Sequence, residues 1–130
     1  MKLQRLRNWI AVPFIWMMII PAIILDIFLE VYHHVAFPLC GIKMVKRKNY
    51  IKIDRHKLKY LKFHQKFGCV YCGYINGLVH YAVIIAAKTE SYWCAIVHKK
   101  TKGFVAPDHH KNFAKYGDEE EFKKKYLKNK

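Results

Sequence analysis

The sequence predicts a mainly α protein: an N-terminal hydrophobic membrane segment and an interfacial helix, followed by a small helical metal-knuckle module. Three observations predict this class. The first 42 residues are apolar and sparsely charged, the remaining residues are strongly basic, and cysteines stand at metal-ligand spacing near the middle of the chain. A chain of 130 residues leaves room for one small soluble module beyond the hydrophobic segment.

Residues 1–42 are predicted to be a retained membrane anchor. A basic start is followed by an uncharged run, residues 9–25, and no small-residue cleavage site comes after it. This run is at the short limit for a helix crossing ~30 Å of hydrocarbon, and Pro13 and Pro21 interrupt it. A single tilted span and a re-entrant, monotopic anchor both remain open. The monotopic form is slightly favoured, because both flanks are basic and prefer the cytoplasmic side.

The second half of the anchor is predicted to be an interfacial helix. Asp26, Glu30, His33 and His34 recur at helical spacing on one face, with apolar residues over the remainder. We interpret this polar face as directed toward lipid head groups and the soluble module.

The same helix contains a Glu-x2-His pair, the ligand pair of carboxylate di-metal sites. Such sites need a second pair and two more carboxylates. The only other neighbouring histidine pair, His109 and His110, is interpreted as surface residues at a helix start. The interfacial helix is therefore the preferred interpretation.

Residues 43–67 are predicted to form a basic arm and a short helix over about residues 56–65. Residues 43–130 carry twenty-one basic and seven acidic side chains, so the soluble part holds nearly all the charge. Lysines directly after a membrane segment favour contact with anionic phospholipid, each contributing ~1 kcal/mol. The predicted lipid-binding residues are Lys43, Lys46, Arg47, Lys48 and Lys52.

Residues 68–130 are predicted to be a metal-binding helical module. Gly68 is expected to end the preceding helix and open a knuckle at Cys69 and Cys72. A following helix from about Asn76 would then bring Cys94 and His98 onto one face. The predicted metal ligands are Cys69, Cys72, Cys94 and His98, with His80 or Cys40 as substitutes for the fourth position. Zinc is the default ion for such ligands, and iron is the runner-up.

Three other interpretations of these residues were weighed. The cysteines can be small buried hydrophobes. Cys69-Val-Tyr-Cys72 looks like the CPYC of glutaredoxins and can serve thiol redox chemistry, although no βαβ pattern surrounds it. Basic residues interleaved with aromatic ones can bind nucleic acid, but the aromatic positions follow core periodicity. Metal binding in a reducing compartment is preferred.

The C-terminal residues are predicted to form two short helices. Pro107 and Asp108 start the first, which runs through Lys115. Gly117 closes it, and Asp118 with Glu121 has the spacing of a capping box for a last helix over residues 119–128.

The order of these segments resembles a family of short uncharacterised bacterial membrane-associated proteins. The resemblance covers nearly the whole chain, and its most specific parts are CVYCGY and YWCAIVH. It implies a bacterial source. No functional residues are carried over from it.

The function expected from the sequence is that of a metal-binding adaptor or accessory protein. It would be held at the bacterial inner membrane with its soluble module on the cytoplasmic side, and would bind anionic phospholipid and a protein partner. The competing class is a membrane-bound thiol or metal redox enzyme. A second alternative is a membrane-tethered module that binds nucleic acid or anionic lipid, of which nucleic acid is the less favoured ligand.

Overall fold

The computed structural model describes residues 1–126 and is mainly helical, as predicted. The four α-helices are α1 (Lys2–Met17), α2 (Ile19–Cys40), α3 (Phe63–Trp93) and α4 (Glu119–Tyr126). Short 3-10 turns occur at Arg47–Asn49, Arg55–Lys57 and Asp108–Asn112. No β-strand occurs in residues 1–126. The chain forms two compact units, Met1–Val83 and Ile84–Lys130.

Helices α1 and α2 follow one another almost without interruption. Met18, between them, keeps a right-handed helical backbone with φ −67° and ψ −14°. Its N–H donates to the Ile15 carbonyl, and the Ala22 N–H donates to the Met18 carbonyl. At 1.5 Å per residue the resulting rod is about 58 Å long. The predicted apolar N-terminus is thus one long helix, where the sequence predicted a hydrophobic segment interrupted by prolines and a separate interfacial helix. It ends at Gly41, whose φ of 69° terminates α2.

Pro21 leaves the rod intact because it lies in the first turn of α2. The backbone N–H that proline lacks would have no acceptor within the helix at this position. Pro13 and Pro38 lie farther inside α1 and α2, and the helices continue through them.

The linker between α2 and α3, residues 41–62, turns back along both helices. Val45 contacts His33, and farther along the linker Tyr50 contacts Tyr81. Helices α2 and α3 run in the same direction, because Tyr81 also reaches His33 while Tyr74, two turns earlier in α3, reaches Asp26. The buried core of this unit is Leu29, His33, Phe37, Val45, Leu78 and Tyr81.

The predicted helix boundaries in this region are wrong. A helix over residues 56–65, a break at Gly68 and a second helix from Asn76 to His98 were expected. The structure instead has one helix, Phe63–Trp93, that runs through Gly68 and both cysteines of the expected knuckle. Two other glycines of α3 have a packing role. Ideal Cβ atoms at Gly77 and Gly73 would lie 2.9 Å from the Tyr50 carbonyl oxygen and 3.2 Å from the Lys52 carbonyl oxygen.

In the second unit, the segment after α3 pairs with the segment after the last 3-10 turn. Ile96 and Ala114 form a parallel bridge, with the Val97 N–H donating to the Ala114 carbonyl and the Ala114 N–H donating to the Ala95 carbonyl. The helix predicted from Pro107 to Lys115 is a shorter 3-10 turn, Asp108–Asn112. This pairing holds the 3-10 turn beside the end of α3.

The predicted cap of the last helix is present in modified form. Asp118 Oδ1 accepts a hydrogen bond from the Glu121 N–H at 3.0 Å, as the capping box requires. Glu121 does not complete the box, because its carboxylate accepts from the Lys115 N–H at 2.9 Å. Its hydrogen bonds from Lys125 and Lys115 lower the pKa of Glu121. The predicted end of this helix, Leu127 and Lys128, lies outside the described residues.

Candidate functional site

The first polar cluster joins α2, the linker and α3. Arg47 donates to both carboxylate oxygens of Asp26, with Nη2 2.8 Å from Oδ2, and Nη1 also lies 3.2 Å from Glu30 Oε1. Tyr74 donates to Asp26 Oδ2 at 2.7 Å. The hydrogen bond to Asp26 raises the pKa of Arg47, so the guanidinium stays charged. These contacts fix the linker on the polar face of α2, so this face is directed toward the linker and α3.

A buried histidine lies one turn farther along α2. The Val45 N–H donates to His33 Nε2 at 3.0 Å, so this nitrogen carries no proton. The other ring nitrogen, Nδ1, lies 3.1 Å from the Tyr81 hydroxyl and, in the neutral ring, donates to it. Both ring nitrogens are thus occupied within the protein, and His33 acts as a bridge between the linker and α3.

Glu30, His33 and His34 have potential metal-ligand atoms within 4.8 Å of one another. They are nevertheless a poor metal site. The lone pair on His33 Nε2 is used by Val45, and the Glu30 carboxylate is hydrogen-bonded to Arg47. Binding an ion here would break the contacts that hold the first unit together.

A second group, in the other unit, brings together Glu90 from the last turns of α3 with His109 and His110. His109 Nε2 lies 2.7 Å from Glu90 Oε2, and His110 Nε2 lies 3.0 Å from Glu90 Oε1. All three ligand atoms lie within 4.8 Å of one another. The sequence interpretation of His110 as a surface residue is wrong, since its exposed fraction is 5%.

Neighbouring aromatic rings orient this pair of histidines. Phe113 stacks on His110, with ring centroids 4.8 Å apart and planes at 27°, and meets His109 edge-on at 5.6 Å. His98 lies on another side of His110, with ring centroids 5.7 Å apart. The group was missed because its carboxylate and its histidines are about twenty residues apart, and the Ile96–Ala114 bridge that brings them together has no local sequence signal.

The structure does not confirm the predicted metal knuckle. Cys69 and Cys72 are one turn apart within α3 and belong to the first unit, whereas Cys94 and His98 follow α3 and belong to the second. The metal-ligand groups found among the described residues contain no cysteine. The zinc site at these four residues therefore stays a prediction.

The substitute ligands and the redox alternative are also placed by the structure. Cys40 is the last residue of α2, and the His80 ring meets the Tyr50 ring edge-on at 5.0 Å. Cys69 lies six residues after the start of α3. It therefore lacks the helix N-terminal position that activates thiols in CxxC redox proteins.

The residues predicted to bind lipid are not equivalent. Lys43, Lys46 and Lys48 are exposed, whereas Arg47 is engaged by Asp26 and Glu30. Lys52 is exposed and lies 3.6 Å from the Asp54 carboxylate. Three lysines of the predicted set thus remain on the surface without an acidic partner in the described contacts.

Two helical stretches, Lys2–Cys40 and Phe63–Trp93, are long and apolar enough to cross a membrane. The second was not predicted. Length and composition are the only grounds for both, and the core helix of a soluble protein meets the same criteria.

In comparisons with known proteins, no family model, no curated protein and no solved structure matches this chain.

Proposed function

We propose that this protein is a peripheral adaptor whose N-terminal rod lies in the plane of a membrane and holds a basic module against anionic lipid. A single observation carries the proposal. An exposed apolar stripe follows the rod at intervals of three and four residues over almost its whole length. Its members are Leu3, Leu6, Ile10, Phe14, Met17, Ile20, Ile24, Ile27, Val31, Val35 and Leu39.

The opposite face of α2 supports an orientation along the membrane surface. At 3.6 residues per turn, Asp26, Leu29, Glu30, His33 and Phe37 lie across the helix from the stripe. They contact or are covered by the linker and α3, so one side of α2 faces protein and the other is left for lipid. A helix with this division is typical of an interfacial anchor.

The linker argues against a perpendicular orientation of α2. It runs beside α2 in a largely irregular conformation and carries exposed Lys46, Lys48 and Lys52. Were α2 to cross the hydrocarbon, these charges and the unpaired backbone groups around them would enter it too, which costs several kcal/mol for each unsatisfied group. The linker also packs on α3 at Gly73 and Gly77, so the same reasoning keeps that part of α3 outside the hydrocarbon.

Helix α1 is submerged more deeply than α2 in this proposal. Exposed apolar side chains lie on different sides of α1, among them Trp9, Ile10, Phe14 and Ile15. A helix that is apolar on all sides is unfavourable in water. Lys2, Arg5 and Arg7 at one end and the linker lysines near the other end can then both contact anionic head groups. Each cation near such a surface contributes ~1 kcal/mol.

The test is flotation of the purified full chain with vesicles of zwitterionic lipid or of zwitterionic lipid containing anionic lipid. Ile20→Asp with Ile27→Asp places two charges on the stripe and is expected to abolish flotation with both vesicle types. Val105→Asp is the matched control, since Val105 is an exposed apolar residue in the other unit. Flotation of the double variant at the wild-type level would contradict the proposal.

A second variant tests the basic contribution separately. Lys43→Gln, Lys46→Gln and Lys48→Gln together are expected to reduce flotation with anionic vesicles by at least about tenfold at low salt, and to leave zwitterionic vesicles unaffected. Equal loss with both lipids would show that the lysines act on folding and not on head groups.

A further inference from the structure

We propose that Glu90, His109 and His110 bind one divalent transition-metal ion, and that zinc is the ion this ligand set favours. The proposal does not depend on the membrane anchor. It moves the metal site from the cysteines to a carboxylate and two imidazoles that lie within the second unit.

The distances are those of a site that needs little rearrangement. The contacts between Glu90 and the two Nε2 atoms are 2.7 and 3.0 Å, and all three candidate ligand atoms lie within 4.8 Å. Around a tetrahedral ion with ligand bonds of about 2.0–2.2 Å, neighbouring ligand atoms are roughly 3.4 Å apart. The two carboxylate–imidazole distances therefore fall short of the spacing around a bound ion by less than an ångström.

The rings are already turned toward the shared point. Nδ1 of His110 is buried without a hydrogen-bond partner among the described residues, so the polar contact of this ring is made through Nε2. Phe113 packs on both rings and limits their rotation. Such preorganisation lowers the entropy lost when ligands are ordered around an ion.

The chemistry of the ligands identifies the class of ion. Two imidazoles and one carboxylate form a common three-ligand set for zinc in proteins, with a fourth position left to water. The same set binds ferrous iron when more positions are open. Coordination uses the Nε2 lone pairs, so a neutral ring that carries its proton on Nε2 must take the Nδ1–H tautomer, and a charged ring must release one proton to solvent.

The experiment is Zn²⁺ titration of the chelator-treated full chain in detergent, with a chromophoric chelator as competitor and circular dichroism as the check on folding. Glu90→Gln keeps the shape of the side chain, and His109→Ala removes the more exposed histidine. Both are expected to weaken zinc binding by at least about tenfold, the loss that even an outer-shell partner can cause. His64→Ala is the matched control, because His64 is exposed and lies in the other unit.

Three cysteine variants compare this site with the predicted knuckle. Cys69→Ser, Cys72→Ser and Cys94→Ser are each expected to keep one zinc per chain, and the cobalt-substituted protein should show no thiolate-to-metal charge-transfer band. Zinc should raise the melting temperature of the wild type and of His64→Ala, but not that of Glu90→Gln. Absence of zinc binding by the wild type, or zinc lost only in the cysteine variants, would overturn the proposal.

Discussion

Arg47 and Asp26 form a two-point contact between the linker and α2, in which both terminal nitrogens of the guanidinium donate to the carboxylate. The two residues are twenty-one positions apart, so the contact closes a long loop. Because it lies across the helix from the apolar stripe, it fixes which side of α2 the linker covers. In the proposed in-plane orientation, the same ion pair would therefore stabilise the first unit and leave the apolar stripe directed toward lipid.

Arg47→Lys keeps the charge but removes the planar fork that the carboxylate recognises. We expect it to lower the free energy of unfolding by about 1–2 kcal/mol, the scale of a hydrogen bond to a charged group. The measurement is chemical denaturation in detergent. Lys48→Met, at an exposed neighbour, should change stability by no more than about 0.5 kcal/mol. Equal effects from the two substitutions would contradict this role of Arg47.

His33→Leu removes both hydrogen bonds of the buried ring. The buried Val45 N–H would lose its partner, at about 1–3 kcal/mol for an unsatisfied buried group, and the Tyr81 hydroxyl would lose its contact with the ring. We therefore expect the variant to unfold at clearly lower denaturant concentration than the wild type. His34→Leu is the control, because the adjacent His34 is exposed. A more stable His33→Leu variant would show that the polar bridge is dispensable.

Gly77→Ala and Gly68→Ala are expected to act in opposite directions. At Gly77 an added Cβ would lie 2.9 Å from both the Ile51 Cα and the Tyr50 carbonyl oxygen, so the linker backbone would have to move. At Gly68 nothing lies within 4 Å, and alanine should stabilise the helix by about 0.5–1 kcal/mol. The measurement is the melting temperature of each variant compared with that of the wild type. Stabilisation by both would contradict the close packing of the linker on α3.

The glycines also show why sequence reasoning predicted the helical class but not the course of α3. Gly68 was expected to end a helix, yet the glycines with positive φ are Gly41, Gly103 and Gly117. A glycine that terminates a helix and one that lets another segment approach look alike in a sequence. A glycine of the second kind can be recognised only once the position of the approaching backbone is known, which here is that of residues 50–52.

The candidate metal group shows that sequence spacing also limits the prediction of metal ligands. Sequence spacing favours ligands that are close along the chain, and Cys69 with Cys72 satisfied that expectation. Glu90 meets His109 and His110 only through pairing of two irregular segments, at Ile96 and Ala114. Hydropathy did identify residues 1–42 as predominantly apolar, because that property is local.

The orientation of the rod is tested most directly by cysteine labelling in sealed membrane vesicles of known orientation. One variant retains only Cys72, which is exposed on α3, and a second carries Lys2→Cys with all four native cysteines replaced by serine. An in-plane rod predicts that a membrane-impermeant maleimide labels both from the same side of the membrane, without lysis. Labelling of Lys2→Cys only from the opposite side would show that the rod crosses the membrane and would contradict the account.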